Sequence, residues 1–277
     1  MKNKIDLRTS ARPQVMGILN VTPDSFSDGG RFSHFDNALK QIELMLQQGA
    51  DIIDIGGEST RPGAQAVSAE EELQRVIPVI EAIKSRFDCA VSLDTNKAQV
   101  MQAGIDVGVD LINDVCGLEG EGVLKVIANS NVPVCIMHMQ GSPRTMQSNP
   151  VYNDLMLDIT QYFANRITEC EALGIDKKRI IIDPGFGFGK TLAHNYQLLA
   201  ELEKFKQLDC SILIGLSRKS MIGNLLDIPV DKRLAASIAA VTLALNNGAN
   251  IVRVHDVEET KQAVRIFNAM KYGVEND

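Results

Sequence analysis

The chain has 277 residues, 45% of them hydrophobic, which is enough for one large α/β barrel domain or two small domains. Its net charge of -7, with no Lys/Arg-rich block, argues against a nucleic-acid surface, because backbone binding needs clustered cations. Cys89, Cys116, Cys135, Cys170 and Cys210 are odd in number, widely spaced and free of CxxC pairs. They speak against a disulfide framework or a zinc cluster and fit a reduced, cytoplasmic protein, and neither a signal-peptide core nor a membrane-spanning apolar run is present.

Short apolar runs alternate with helical patterns along the chain. Val15 to Leu19 reads as a strand, followed by a Gly/Ser/Asp-rich segment from Asn20 to Phe35 that is long enough to be a functional loop. A helix through Ala38, Ile42, Met45 and Leu46 ends at Gly49-Ala50, a C-cap pattern. Ile52 to Ile55 is the second strand. After Gly56 to Gly63, Ser68 and Glu71 form a capping-box pattern ahead of an apolar face at Leu73, Val76, Ile77, Ile80 and Ile83. Pro78 is expected to kink that helix or restart it.

The runs Ala90–Leu93, Val109–Ile112, Val132–Met137, Ile180–Ile182, Ser211–Ile214 and Ile251–Arg253 complete eight strand–helix units, closing with a helix from Glu258 to about Met270. Continuous apolar runs suit parallel strands buried on both faces. Eight units in one chain predict a single TIM (β/α)8 barrel, α/β in class, with a doubly wound open sheet as the competitor. In a barrel the strand ends share one rim. Asn20, Thr60, Asp94, Asn113, His138, Asp183, Lys219 and His255, each just beyond an apolar run, then become one list of site candidates.

Asp94, Asn113 and Asp183 combine two acceptors with an amide that both donates and accepts, a set suited to the edge of a flat heterocycle. The alternative is that each caps the next helix. Lys219, Arg218, Arg61, Arg253 and His255 supply cations for a leaving phosphate or an electron-rich ring; the alternative is that they face water or pair with acids. Asn20 and Asp24 offer oxygen ligands for Mg²⁺, although the sequence holds no dense carboxylate cluster. Gly185 to Thr191 is not a P-loop, because Pro184 occupies the position where the first glycine belongs. Its phenylalanines suit a wall beside the pocket.

The sequences Met16-Gly-Ile-Leu-Asn-Val-Thr-Pro-Asp-Ser-Phe-Ser-Asp-Gly-Gly30 and Asp54-Ile-Gly-Gly-Glu-Ser-Thr-Arg-Pro-Gly63 are long and specific. Asp94-Thr95, Asn113-Asp114, Met137-His-Met-Gln-Gly141, Asp183-Pro-Gly-Phe-Gly-Phe-Gly-Lys190, Ser217-Arg-Lys-Ser220 and Arg253-Val-His255 follow in order. Together they resemble the dihydropteroate synthase family from about Pro13 to Met270.

The resemblance implies one pterin-binding barrel domain over residues 1–277. It implies condensation of 4-aminobenzoate with 6-hydroxymethyl-7,8-dihydropterin diphosphate to give 7,8-dihydropteroate and diphosphate, on the route to folate. Asp94, Asn113, Met137, Asp183, Phe188, Lys219 and Arg253 match pterin-site residues, and Asp94, Lys219, Arg253 and His255 are the expected catalytic set. Asn20 matches the Mg²⁺ ligand and, with Arg253 and His255, the diphosphate site. Phe26, Thr60, Arg61, Pro62 and Ser220 match the aminobenzoate site and its loops, with residues 21–35 and 60–68 expected to close over the second substrate. A homodimer and competitive inhibition by sulfonamides are also implied. Rival readings are a pterin-barrel methyltransferase serving a corrinoid protein and a silent pterin-binding module.

Overall fold

In the computed structural model, residues 5–9, 12–22, 31–59, 67–141, 146–147 and 149–274 are described, with backbone alone over 31–34. Among them, eight parallel strands form a closed barrel in sequence order: β1 (Gln14–Asn20), β2 (Ile52–Gly56), β3 (Ala90–Asp94), β4 (Leu111–Asp114), β5 (Val134–Met137), β6 (Ile180–Asp183), β7 (Ser211–Ile214) and β8 (Ile251–Val254). The pairing of β8 with β1 completes the circle and excludes the open sheet. The connecting helices are α1 (Arg31–Gln47), α2 (Ala69–Arg86), α3 (Ala98–Asp106), α4 (Val123–Ala128), α5 (Leu155–Ala172), α6 (Leu192–Ala200), α7 (Ser220–Leu226), α8 (Leu234–Asn246) and α9 (Val257–Tyr272). No helix among the described residues is long and apolar enough to cross a membrane.

The two-residue repeat of a strand splits each apolar run between two cores. Val15, Ile53, Val91, Ile112, Val134, Ile182, Ile212 and Val252 point outward and pack beneath the helices. Met16, Ile52, Ala90, Leu111, Cys135, Ile181, Leu213 and Ile251 point inward and form an apolar floor inside the barrel. Ile5 is 4% exposed in that floor, and Leu7 packs beside it. The Ser211 hydroxyl donates to the Leu7 carbonyl at 2.7 Å and the Asn250 amide to the Thr9 carbonyl at 3.0 Å. Residues 5–9, which carry no functional signal in the sequence, thus pack against the end of the barrel opposite the site. Burying an isoleucine contributes about 1.5–3 kcal/mol to such packing.

One local expectation is narrowed and another corrected. α2 is one continuous helix through Pro78, so it does not restart there. Proline removes one backbone donor, but Pro78 and Gln74, the acceptor it would have served, both face solvent. Val76, Val79, Ile80 and Ile83 anchor the helix on either side. The segment after β1 is shorter than Asn20 to Phe35, because α1 already begins at Arg31. The capping box at Ser68 is half realised: its hydroxyl accepts from the Glu71 N–H at 3.2 Å, while the Glu71 carboxylate pairs with Arg75 instead.

Candidate active site

Moving two residues up five of the strands from the apolar floor, and four up β3, exposes a different interior layer. Ile52 leads to Asp54, Leu111 to Asn113, Cys135 to Met137, Ile181 to Asp183 and Ile251 to Arg253, while Ala90 leads through Ser92 to Asp94. Strand register places Asp94 beside Asn113 and Met137 beside Asp183. One change of layer converts a dry core into a ring of acids, an amide and a guanidinium.

Arg253 ties this ring together. Its Nε donates to Asp54 Oδ2 at 2.6 Å and a terminal nitrogen donates to Asp94 Oδ2 at 2.8 Å. The Asn113 amide reaches Asp54 Oδ2 at 3.4 Å. Asp54 is wholly buried and was absent from the candidates drawn from sequence; the available signal was one acid amid isoleucines in β2. Burial lifts the Asp94 carboxyl to about 7; Arg253 opposes that rise, and Asp54 and Asp114 add to it. Burial likewise raises Asp183, against the pull of Lys219. Asp183 Oδ1 accepts the Gly185 N–H at 2.8 Å.

Neither Asp94 nor Asn113 caps a helix: the residue before α3 is Lys97, and α4 starts after Gly122. Asp114, next to Asn113, is structural. Its carboxylate accepts the N–H groups of Cys116 at 2.7 Å and Leu118 at 2.9 Å, and burial raises its carboxyl to about 6.

Lys219 immediately precedes α7 and leans back over the rim. It donates to the Phe186 carbonyl, and its ammonium lies 4.5 Å from the centre of the Phe188 ring. Burial lowers its pKa to about 8, with Asp183 favouring the charged form. Ser220 begins α7 and is exposed. Arg218 pairs with Asp256 and so belongs to the rim's own support. His255 is exposed beyond β8, its Nδ1 3.1 Å from the Ser217 hydroxyl, which also accepts the His255 N–H at 3.2 Å.

Asn20, at the end of β1, meets the site above Gly56. A β-carbon on Gly56 would stand 3.7 Å from Asn20 Oδ1 and 3.8 Å from Asp94 Oδ2, so both oxygens border the space left by the missing side chain. The Asp94 β-carbon shares this border at 3.7 Å, and the two oxygens on it are of the donor type Mg²⁺ prefers. Among the described residues no cluster of three or more His, Cys, Asp or Glu could enclose a metal. Asp24, Phe26, Thr60, Arg61 and Pro62 lie outside the described residues. The structure therefore brings together Asn20, Asp94, Asn113, Met137, Asp183, Phe188, Lys219, Arg253 and His255 at one end of the barrel.

Residues 16–255 match the family described as pterin binding enzyme. The chain is 52% identical to the dihydropteroate synthase of Escherichia coli K12 over 266 residues, covering 96% of this chain and 94% of the other. The crystal structure of Yersinia pestis dihydropteroate synthase with a sulfonamide drug complex superposes with a TM-score of 0.91 at 52% identity, covering 97% of both chains. That of the Xanthomonas albilineans enzyme with 4-aminobenzoic acid superposes with a TM-score of 0.89 at 46% identity, covering 95% of this chain and 94% of that one. On a closed barrel with this polar inner ring and full-length similarity of that degree, the chain belongs to the dihydropteroate synthase family of pterin-binding enzymes.

Proposed function

We infer that the protein condenses 4-aminobenzoate with 6-hydroxymethyl-7,8-dihydropterin diphosphate, releasing diphosphate and 7,8-dihydropteroate for folate synthesis. The observation that carries this reading is the Asp54–Arg253–Asp94 bridge set beside Asn113, Asp183 and Lys219. It puts donors and acceptors for a flat heterocycle next to cations for a leaving diphosphate. The ligands named for the Yersinia and Xanthomonas structures, a sulfonamide and 4-aminobenzoic acid, fit the same reading.

Asp183 and Asn113 would hold the ring edge, with Met137 and Phe188 as its apolar surround. Departure of diphosphate leaves positive charge on the exocyclic methylene, conjugated with the dihydropterin. The Asp94 carboxylate offsets that charge at close range, while Arg253, His255 and Lys219 favour the departing anion. The aniline nitrogen of aminobenzoate then forms the new C–N bond and sheds its proton. Its conjugate acid is weak, so no strong base is needed beforehand. Positioning and preorganised charge carry most of the rate. Asp94, Lys219, Arg253 and His255 are the proposed catalytic set, and Phe26, Thr60, Arg61, Pro62 and Ser220 are assigned to the aminobenzoate side.

Asn20 would hold Mg²⁺ jointly with substrate oxygens. When bound, the ion neutralises diphosphate charge. The five cysteines are thiols, which supports residence in the cytoplasm. Packed side by side, α8 and α9 expose Leu243, Ile266 and Met270, supporting burial of this surface in a homodimer.

Diphosphate release tests the reading. It requires both substrates, falls when Mg²⁺ is chelated, and is suppressed by a sulfonamide in competition with 4-aminobenzoate. Methyl transfer from methyltetrahydrofolate to a corrinoid protein, without diphosphate release, would instead establish the rival barrel activity. Pterin binding without either reaction would establish a silent module.

A further inference from the structure

We infer that Lys190 is a positioning residue for the pterin site: paired with His138 beneath the rim, it sets the turn that presents Phe186 and Phe188 to Lys219. This deepens the synthase reading and rests on it.

Lys190 is 3% exposed. Burying an amine is costly unless its hydrogen bonds are met inside the protein. Its Nζ lies 3.1 Å from His138 Nδ1, 3.0 Å from the Phe188 carbonyl and 3.5 Å from the His138 carbonyl. Burial drives His138 down to about 2, helped by the Lys190 charge, so the imidazole is neutral and can accept at Nδ1. Burial also lowers Lys190 to about 7, against the pull of Asp183. The pair survives that titration: a neutral amine still donates to the two carbonyls, and the other imidazole tautomer donates to its lone pair.

The contacts form a continuous path to the pterin-facing groups. The His138 N–H donates to the Asp183 carbonyl at 2.9 Å, so the strand end carrying Asp183 is tied to the residue that clasps Lys190. From Lys190 the path continues to the Phe188 carbonyl, and the Phe188 ring lies beneath Lys219. Lys219 itself donates to the Phe186 carbonyl in the same turn. Asn195 secures the flank, accepting the Gly187 N–H at 2.7 Å and donating to the Lys190 carbonyl at 3.3 Å. Lys190 is thus buried behind the pterin-facing groups, touching the backbone of Phe188 directly and linked through His138 to Asp183 and through Phe188 to Lys219.

The test compares the parent protein with Lys190→Met, His138→Leu and His138→Asn. The Asn variant offers an amide oxygen near the place of Nδ1. Steady-state diphosphate release gives kcat and both KM values, and calorimetry with 6-hydroxymethylpterin gives Kd without turnover. Lys190→Met and His138→Leu should raise the pterin KM and Kd about tenfold, the scale of one charge-assisted hydrogen bond. kcat and the aminobenzoate KM should move far less, and His138→Asn should recover most of the loss seen in His138→Leu. Parental KM and Kd in folded Lys190→Met would overturn the inference, as would a loss confined to kcat or equal damage in the two His138 variants. If Lys190→Met does not fold, the His138 pair decides. A parent that binds the pterin but releases no diphosphate refutes the synthase reading, while the Kd values still judge Lys190.

Discussion

Arg253 on β8 reaches Asp54 on β2 at 2.6 Å, while its other arm holds Asp94 on β3. One guanidinium serves two buried carboxylates, and the second carboxylate is part of why Asp94 titrates high. Replacing Asp54 by the isosteric Asn removes that neighbouring charge and leaves Arg253 to Asp94 alone. Both changes lower the Asp94 pKa. The acidic limb of kcat/KM for the pterin substrate should move down by about one pH unit. A limb that stays in place would separate Asp94 from this control.

In the parent, the same limb should lie near pH 7, because Asp94 must be ionised to offset positive charge and its carboxyl is held at about 7. An opposing limb should lie near pH 8, where Lys219 loses its proton. The expected profile of kcat/KM is a narrow bell. Lys219→Arg, which does not deprotonate in this range, should lose the alkaline limb in whatever activity remains. Retention of that limb would assign it to another group.

Asp94→Asn separates charge from shape. Loss of transition-state charge stabilisation should reduce kcat about 100-fold, while relief from Asp54 compensates the weakened Arg253 contact and keeps stability within about 1 kcal/mol. Urea unfolding beside steady-state kinetics measures both quantities. Parental turnover would remove Asp94 from the reaction.

Gly185 has φ 72, and a β-carbon there would stand 2.0 Å from the His138 carbonyl. The left-handed backbone alone costs a non-glycine residue about 1–2 kcal/mol, and the contact with a backbone atom has no flexible side chain to absorb it. Gly185→Ala should therefore destabilise the fold by more than that and weaken 6-hydroxymethylpterin binding, because the displaced turn carries Phe188. Calorimetric melting and pterin titration read the two effects; an unchanged Tm would contradict the crowding at His138.

Much of the candidate site was legible because a parallel barrel places strand ends together. Asp94, Asn113, Asp183, Lys219, Arg253 and His255 each follow or end an apolar run, and eight runs of strand length point to closure. Asp54 escaped that reasoning because it lies inside a run, where only knowledge of which face is interior distinguishes a ligand-side acid from a buried partner. Lys190 escaped it because its value depends on His138, 52 residues away.

What the sequence by itself determined is the alternation of strands and helices, the polar residues at their junctions and the motifs of the family. These are local properties: side-chain volume, periodicity and turn chemistry act within a few residues. Tertiary structure alone decided that Arg253 is shared between two carboxylates, that Pro78 is accommodated without a break, and that Ile5 and Leu7 pack into the barrel floor. Each of these depends on burial and on distances between segments far apart in the chain, and electrostatic and packing energies are set by those distances.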